Sequence, residues 1–181
     1  MSEEYLIRHC APTLAGIKTG NLFTCPYQDR QEVIASLRAI NRKLRLKGLR
    51  AVPLRFSQSR ALIYLYRPGK LRSDLSQTQA ADILKARGYT PCQSERCVAQ
   101  LRNKLRQQED FPHEIGLFLG YPPEDVQGFL EDKPCKCVGC WKVYGDTCAA
   151  QKKFAQYRKC TRIYGDCWAK GSNIERLTVA G

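Results

Sequence analysis

The chain has 181 residues, of which 43% are hydrophobic and 26% are charged, so its composition is that of a globular protein and excludes a disordered chain. Thirty Lys and Arg against seventeen Asp and Glu give a formal charge of +13, which favours an acidic protein, an anionic small molecule or nucleic acid as partner. The longest apolar stretch, residues 61–66, is far shorter than the roughly 20 residues that cross a bilayer, so we expect no membrane span.

The first residues of the chain carry acidic side chains where a secretion signal needs basic ones, and no apolar segment follows them. We therefore expect a cytoplasmic location. Ten cysteines in a reducing compartment indicate buried thiols, metal ligands or a few reactive thiolates rather than disulfides. The length predicts a single domain over residues 1–181.

The first half of the chain predicts helices and short strands. Polar residues interrupt the segment His9–Asn21, for which we predict an irregular conformation. Asp29 is predicted to cap a helix that ends before Gly48. Its apolar residues recur at helical spacing, namely Val33, Ile34, Leu37, Ile40 and Leu44. Residues 49–56 and 60–67 predict a hairpin, in which Pro53 places the first strand at a sheet edge or in a bulge and leaves the second strand central.

The second half predicts mainly helices. Helices are expected over 76–87 and 94–107, the latter with Cys97 in the core, and two short ones between 111 and 132. The short helices are marked by Pro112 at a first helical position and by Pro122-Pro123. A Cys-rich connection over 133–145 precedes a helix that Asp146 caps and that buries Phe154, Tyr157 and Thr161 or Tyr164.

These elements predict an α/β or α+β fold, in which several helices pack a small mixed sheet. The α/β portion spans residues 1–90, and the mainly helical portion spans 91–181 with its Cys-rich connection. Residues 140–146 and 160–166 share a seven-residue pattern, which we interpret as coincidence or a local duplication because two copies do not make a repeat fold.

A cysteine cluster in the connection could bind a metal. Cys137 and Cys140 are spaced as Cys-x-x-Cys with a glycine between them, and Cys135 and Cys148 could complete a set of four ligands. A zinc ion or an iron–sulfur cluster is therefore one interpretation. Reduced structural thiols and a thiol redox pair are the alternatives, because no second Cys-x-x-Cys follows.

Two histidines and a carboxylate are candidates for catalysis. His113 and Glu114 lie together at a predicted helix start, where proton transfer or anion binding is possible. Adjacent helical residues face different directions, so the alternative is a capping His113 and a favourable first-turn Glu114. His9 is the remaining histidine.

Lys18 belongs to a candidate anion-binding loop. The string Gly16-Ile-Lys18-Thr19 lacks the first glycine and the Gly-Lys adjacency of a nucleotide-binding loop, so we reject nucleotide hydrolysis. A lysine, a threonine hydroxyl and flexible glycines could still hold a phosphate or carboxylate; a structural turn is the alternative.

Basic and aromatic residues alternate in two places, around Tyr64 and Tyr66 and around Phe154 and Tyr157. Aromatic stacking with phosphate pairing is how many proteins hold single strands of nucleic acid. The same aromatic residues stand at core spacing, so a solvated basic face is the preferred interpretation over nucleic-acid binding.

The chain resembles an uncharacterised family of anaerobic bacteria, the domain of unknown function DUF3793. The resemblance spans nearly the whole chain and rests above all on three strings: HCAPTLAGIK at 9–18, FPHEIGLFLGYPPEDV at 111–126 and GCWKVYGD at 139–146. It implies no established activity, but it ranks these segments first as sites. Five candidate ligand-binding residues lie in them: Thr13, Lys18, Trp141, Lys142 and Tyr144.

The resemblance also implies acidic redox partners, because family members often accompany flavodoxin-like or iron-uptake genes. The sequence departs from the family pattern at Cys140, where an aromatic residue is expected, and at Gly165-Asp166. The departure at Cys140 indicates that this residue is not essential, and it weakens the metal interpretation.

Three functions are consistent with the sequence. The leading hypothesis is a basic accessory binding module that docks an acidic, flavodoxin-like redox partner or an anionic ligand. The alternatives are a redox protein with a thiolate-bound metal or iron–sulfur cluster, and an enzyme that acts on an anionic substrate through His9, Lys18, His113 and Glu114. The enzyme hypothesis requires these four side chains to converge in one cavity.

Overall fold

The computed structural model describes residues 2–91, 93–107 and 110–181. Its helices are α1 (Glu3–Leu14), α2 (Arg30–Leu44), α3 (Pro68–Leu75), α4 (Thr78–Ala86), α5 (Ser94–Gln107), α6 (Ile115–Phe118), α7 (Pro123–Leu130), α8 (Thr147–Ala169) and α9 (Ile174–Leu177). Its strands are β1 (Gly20–Pro26), β2 (Arg50–Phe56), β3 (Arg60–Tyr66), β4 (Cys137–Val138) and β5 (Lys142–Val143). Within these ranges, no helix combines the length and the apolar character that a membrane span requires.

The fold is α+β, with a small sheet packed by helices and a helix-rich C-terminal half. Three strands form the main sheet in the order β1-β3-β2, and both of its pairings are antiparallel. The predicted hairpin is confirmed, with its second strand in the centre. The register of β2 shifts between Pro53 and Arg55, because proline has no N–H to donate. This confirms the predicted bulged edge strand.

The central strand β3 supplies both hydrophobic cores, because successive side chains of a strand point to opposite faces. Ala61, Ile63 and Leu65 pack on one face, with the apolar residues of α1 and α2. Tyr64 and Tyr66 point to the other face, where they pack with residues of α3 to α7. The two rings stack at 4.7 Å between centroids. The strand is therefore buried on both sides.

Helix α2 forms as predicted. The side chain of Asp29 accepts a hydrogen bond from the backbone N–H of Gln31, and Gly48 adopts a left-handed conformation with φ of 75°. Four of the five predicted apolar residues are buried, namely Val33, Leu37, Ile40 and Leu44. Ile34 is 37% exposed, which corrects its placement in the core.

The prediction of an irregular conformation for residues 9–21 is confirmed only for residues 15–19 and is wrong for the rest. Helix α1 continues to Leu14, and β1 begins at Gly20. Pro12 lies inside the last turn of α1, where its missing N–H removes one intrahelical hydrogen bond. Burial of a helical stripe that includes Leu6, Cys10 and Leu14 keeps this segment helical despite the proline.

The other predicted helices need small corrections. Residues 68–75 form α3, which the sequence did not predict, and α4 then starts at Thr78. Cys97 is fully buried in α5, as predicted. Pro123 occupies a first helical position in α7, whereas Pro112 precedes α6 by three residues.

The Cys-rich connection folds into the β4–β5 hairpin, and α8 follows it. The cap of α8 is confirmed, since Asp146 accepts a hydrogen bond from the N–H of Ala149 at 3.0 Å. Phe154 and Tyr157 are buried as predicted, while Thr161 and Tyr164 are half-buried. The similar strings 140–146 and 160–166 fold differently, one around the hairpin and the other within α8, so they form no structural repeat.

Arg67, directly after β3, binds several separate segments of the chain. Its guanidinium donates hydrogen bonds to the carbonyl oxygens of Thr13, Leu14 and Val179 at 2.7 to 2.8 Å, and a longer one to that of Lys47. The residue is only 4% exposed, and this burial lowers its pKa. Arg67 therefore satisfies carbonyls at the end of α1, where a helix has no partners of its own.

We expect Arg67→Met to lower the free energy of unfolding by about 3 kcal/mol, because it keeps most of the side-chain volume but leaves buried carbonyls unpaired. Urea denaturation followed by circular dichroism measures this loss. Arg72→Met, at an exposed position of α3, is the matched control and should change stability by no more than about 0.5 kcal/mol. Equal losses in both variants would contradict the assigned role of Arg67.

Candidate functional site

A cavity of about 210 Å³ opens between α6, α7 and the β4–β5 hairpin. We call it the aromatic cavity. Four aromatic side chains line it, namely Phe111, Tyr121, Phe129 and Trp141. Three polar side chains also line it, namely His113, Asp125 and Lys142. Three residues predicted as site candidates, His113, Trp141 and Lys142, therefore meet in one cavity although the sequence separates them.

Trp141 forms the buried wall of the aromatic cavity. Its ring stacks on Tyr121 with centroids 4.7 Å apart and meets the edge of Phe154 at 4.5 Å. The hairpin turn packs against the same ring of Phe154, since a Cβ atom on Gly139 would lie 2.1 Å from it. Only a glycine fits there. The hairpin is thereby held flat against α8.

Asp125 fixes the hairpin to α7. One carboxylate oxygen accepts the indole N–H of Trp141 at 2.7 Å. The other accepts the backbone N–H groups of Tyr144 and Gly145, each at 2.7 Å. Asp125 is 3% exposed, so these three charge-assisted hydrogen bonds form in a dry environment and are strong. These bonds fill three of the roughly four acceptor positions of the carboxylate.

Two nitrogen-bearing side chains flank one ring at the edge of the aromatic cavity. The ammonium of Lys142 lies 5.2 Å from the centroid of the Phe129 ring, and the imidazole of His113 lies 4.8 Å from the same ring. Both residues are exposed. The cavity thus has aromatic walls and a rim that carries the ammonium of Lys142 and the imidazole of His113.

Tyr144 does not line the aromatic cavity. Its backbone is bound by Asp125, and its ring covers Gly128, where a Cβ atom would lie 2.5 Å from the ring. The side chain borders a neighbouring depression with Glu124 and Lys133. Tyr144 therefore supports the hairpin from outside the aromatic cavity.

Thr13 and Lys18 lie apart from the aromatic cavity. Thr13 is fully buried and donates a hydrogen bond to the side chain of Asn21 at 2.7 Å. Lys18 is 7% exposed, and its ammonium lies 5.5 Å from the ring centroid of Tyr121 and 5.7 Å from that of Tyr157. Burial lowers the pKa of Lys18, although nearby Cys140 opposes this effect. Lys18 contacts the back of the Tyr121 wall.

The four candidates for catalysis do not converge. His9 is an exposed residue of α1 that stacks on Phe23, with centroids 5.7 Å apart. Glu114 is 2% exposed and accepts hydrogen bonds from the hydroxyl of Tyr89 and the ammonium of Lys104, so it faces the core. Of the four, only His113 lines the aromatic cavity. The geometric requirement of the enzyme hypothesis is therefore not met.

The cysteines of the predicted metal site differ in their exposure. Cys135, Cys140 and Cys148 are exposed and Cys137 is half-buried, whereas Cys92 lies outside the described residues. Within the described ranges, no group of three or more His, Cys, Asp or Glu side chains is placed to hold a metal ion. The geometry of these residues gives no support to the predicted zinc or iron–sulfur site.

The aromatic residues that could stack on nucleic-acid bases are inside the protein. Tyr64 and Tyr66 are no more than 2% exposed, and Phe154 and Tyr157 are no more than 7% exposed. Their basic neighbours on α8 remain at the surface. These particular rings cannot serve as a stacking platform without unfolding of the core.

Sequence reasoning missed the residues that complete the site. Phe111, Tyr121, Asp125 and Phe129 were assigned no role, although three of them lie in the second string that carries the family resemblance. In the sequence, Asp125 is a favourable first-turn acid of a helix and nothing more. Its part in the site depends on hydrogen bonds to residues 16 to 20 positions away, which no local pattern predicts.

We expect Asp125→Ala to detach the hairpin, because three N–H donors lose their acceptor, at a cost of about 3 kcal/mol. In a Trp168→Phe background, Trp141 is the remaining tryptophan, and its fluorescence should shift to the red as it becomes hydrated. Glu124→Ala, the exposed neighbour in the same turn, is the control. An unchanged Trp141 emission in Asp125→Ala would contradict the anchoring role.

The comparisons with known proteins concern the family alone. A family model described as a protein of unknown function, DUF3793, matches residues 6–178. No curated protein and no solved structure matches the chain. The matched range includes all three strings on which the resemblance rests, so that resemblance is confirmed. The chain therefore belongs to the DUF3793 family of proteins of unknown function.

Proposed function

We propose that the protein is a cytoplasmic binding module whose aromatic cavity holds a small anionic ligand with a flat, single-ring body. The observation that carries the proposal is the combination of four aromatic walls with a rim formed by Lys142 and His113. Ligand cavities typically pair apolar walls with a few polar groups that fix orientation. Here the rings would bury the flat body, and the rim would hold the charged group.

The size of the cavity limits the ligand. A volume of about 210 Å³ lies below the roughly 300 to 1,000 Å³ of cavities that take drug-sized ligands. One ring with a short substituent fits this space, whereas a dinucleotide or a fused three-ring cofactor does not. The walls are also preformed, because Trp141 is fixed by Asp125, Tyr121 and Phe154. A preformed cavity avoids the entropy cost of ordering its walls.

The charges around the cavity favour an anion over a cation. Three N–H donors fill most of the acceptor positions of Asp125, which weakens the attraction of its carboxylate for an ammonium group. The ammonium of Lys142 repels cations from the rim. The formal charge of +13 adds a long-range attraction for anions.

Three isosteric probes test the proposal: benzoate, benzamide and benzamidinium carry one ring and differ in charge. We expect benzoate to bind about fivefold more tightly than benzamidinium, which corresponds to roughly 1 kcal/mol for an exposed charge pair. Quenching of Trp141 in the Trp168→Phe background reports occupancy of the cavity. Saturation-transfer NMR on the probes gives an independent affinity.

The assignment to Lys142 has a matched control. Lys142→Met should abolish the preference for benzoate while benzamide binds as before. Lys152→Met removes the same charge from an exposed position of α8 and should leave the preference unchanged. If benzamidinium binds as well as benzoate, or if both variants lose the preference equally, the proposal is wrong.

The exposed side of α8 supports a second candidate, the docking of an acidic protein such as a flavodoxin-like redox partner. Five cations lie on this helix at exposed positions, namely Lys152, Lys153, Arg158, Lys159 and Arg162. Among the described residues, none of these five forms an ion pair. A surface with one sign of charge favours encounter with a surface of the opposite sign. The redox and iron-linked role implied by the family resemblance belongs to this candidate.

Salt dependence tests the second candidate. We expect the dissociation constant for a purified acidic flavodoxin to rise about tenfold or more between low and physiological ionic strength, because salt screens exposed charges. The double variant Lys153→Glu/Arg158→Glu should abolish binding. Arg38→Glu/Arg42→Glu makes the same charge change on exposed positions of α2 and should retain it. Salt-independent binding would exclude this mode of docking.

A further inference from the structure

A second cavity lies on another part of the surface. It has a volume of about 400 Å³ and opens where the end of α1, the turn after α2, the start of α3 and residues 179–181 meet. It shares no lining residue with the aromatic cavity. We call it the basic cavity, for the charges described next.

Four cationic side chains line the basic cavity, and no Asp or Glu does: Arg45, Arg50, Arg67 and Lys70. Arg45 and Lys70 are exposed at its edge and form no ion pair within the described part of the chain. Arg50 forms an ion pair with Glu95 at 3.3 Å. Like charges held around one concavity repel each other, and a bound anion would relieve that repulsion.

Arg67 forms the buried floor of the basic cavity. All of its hydrogen bonds go to neutral carbonyl oxygens, and no carboxylate of a described residue pairs with it. The carbonyl end of α1 offsets part of its charge, since a helix C-terminus carries roughly half a negative unit. A full positive charge at 4% exposure is still incompletely neutralised.

The start of α3 adds neutral donors. The backbone N–H groups of Gly69 and Lys70 donate no hydrogen bond to another described residue, because they lie in the first turn of the helix. A Cβ atom on Gly69 would meet no atom within 4 Å, so the backbone there is open to approach. Such N–H groups stabilise an oxyanion that cationic side chains have already attracted.

We propose that the basic cavity binds the phosphate or sulfate group of a small molecule. The ligand is an oxyanion because cationic side chains line the space, and the planar guanidinium of Arg45, which has no ion pair among the described residues, matches the oxygens of such groups. A cavity of about 400 Å³ leaves room for more than the oxyanion itself. The proposal is independent of the ligand assigned to the aromatic cavity.

Inorganic pyrophosphate is the probe for this site. We expect isothermal titration calorimetry to show saturable binding of pyrophosphate at one site, with chloride holding the ionic strength constant. The double variant Arg45→Gln/Lys70→Gln should weaken this binding about tenfold or more, because it removes two exposed cations from the edge. Both residues lie at the surface, so the variant should keep its circular dichroism spectrum and unfolding temperature in the absence of pyrophosphate.

A charge-matched variant separates a built site from general attraction by the basic chain. Lys152→Gln/Lys159→Gln removes the same number of charges from α8 and should bind pyrophosphate as the unmodified protein does. If both double variants lose affinity equally, the anion responds only to net charge and the proposal fails. It also fails if pyrophosphate shows no saturable binding to the unmodified protein.

Discussion

The hydrogen bonds of Arg67 join segments of the chain that are far apart in the sequence. The residue follows the last residue of the central strand, and its guanidinium reaches the end of α1, the turn after α2 and residue 179. Without Arg67, the backbone carbonyls of these segments would lie unpaired in a dry interior. The same side chain forms the floor of the basic cavity. One buried cation therefore sets both the packing of distant segments and the electrostatics of a surface they enclose.

The aromatic cavity depends on a different anchor. The two main cores lie on opposite faces of β3, but the β4–β5 hairpin belongs to a third cluster built around Trp141, Val143 and Phe154. That cluster is joined to α7 by hydrogen bonds of Asp125 and to α8 by ring contacts. The aromatic cavity lies between this third cluster and the core that α3 to α7 form on one face of β3. The two units pack separately and leave space between them.

The sequence predicts those elements whose formation depends on local residue patterns. Helix α2, the β2–β3 hairpin and the cap of α8 follow from apolar spacing, from Asp29 and Asp146, and from the effect of Pro53 on an edge strand. Helix α1 could not be predicted locally, because its proline signals an interruption that tertiary burial overrides. The family resemblance ranked the segments that contain His113, Trp141 and Lys142, but it did not predict that these side chains meet in one cavity. Nor did it predict the role of Asp125, because that role exists only once the hairpin has folded back.

The strand order has a consequence for the route by which the chain folds. β1 precedes β2 in the sequence, yet β3 lies between them, so β1 finds its pairing partner only after the chain has passed through α2 and both later strands. The β2–β3 hairpin closes over residues 57–59 alone. Loop-closure entropy therefore favours this hairpin as the first pairing, with β1 added to a preformed edge. On this route the central strand of the native sheet is an edge strand until β1 pairs with it.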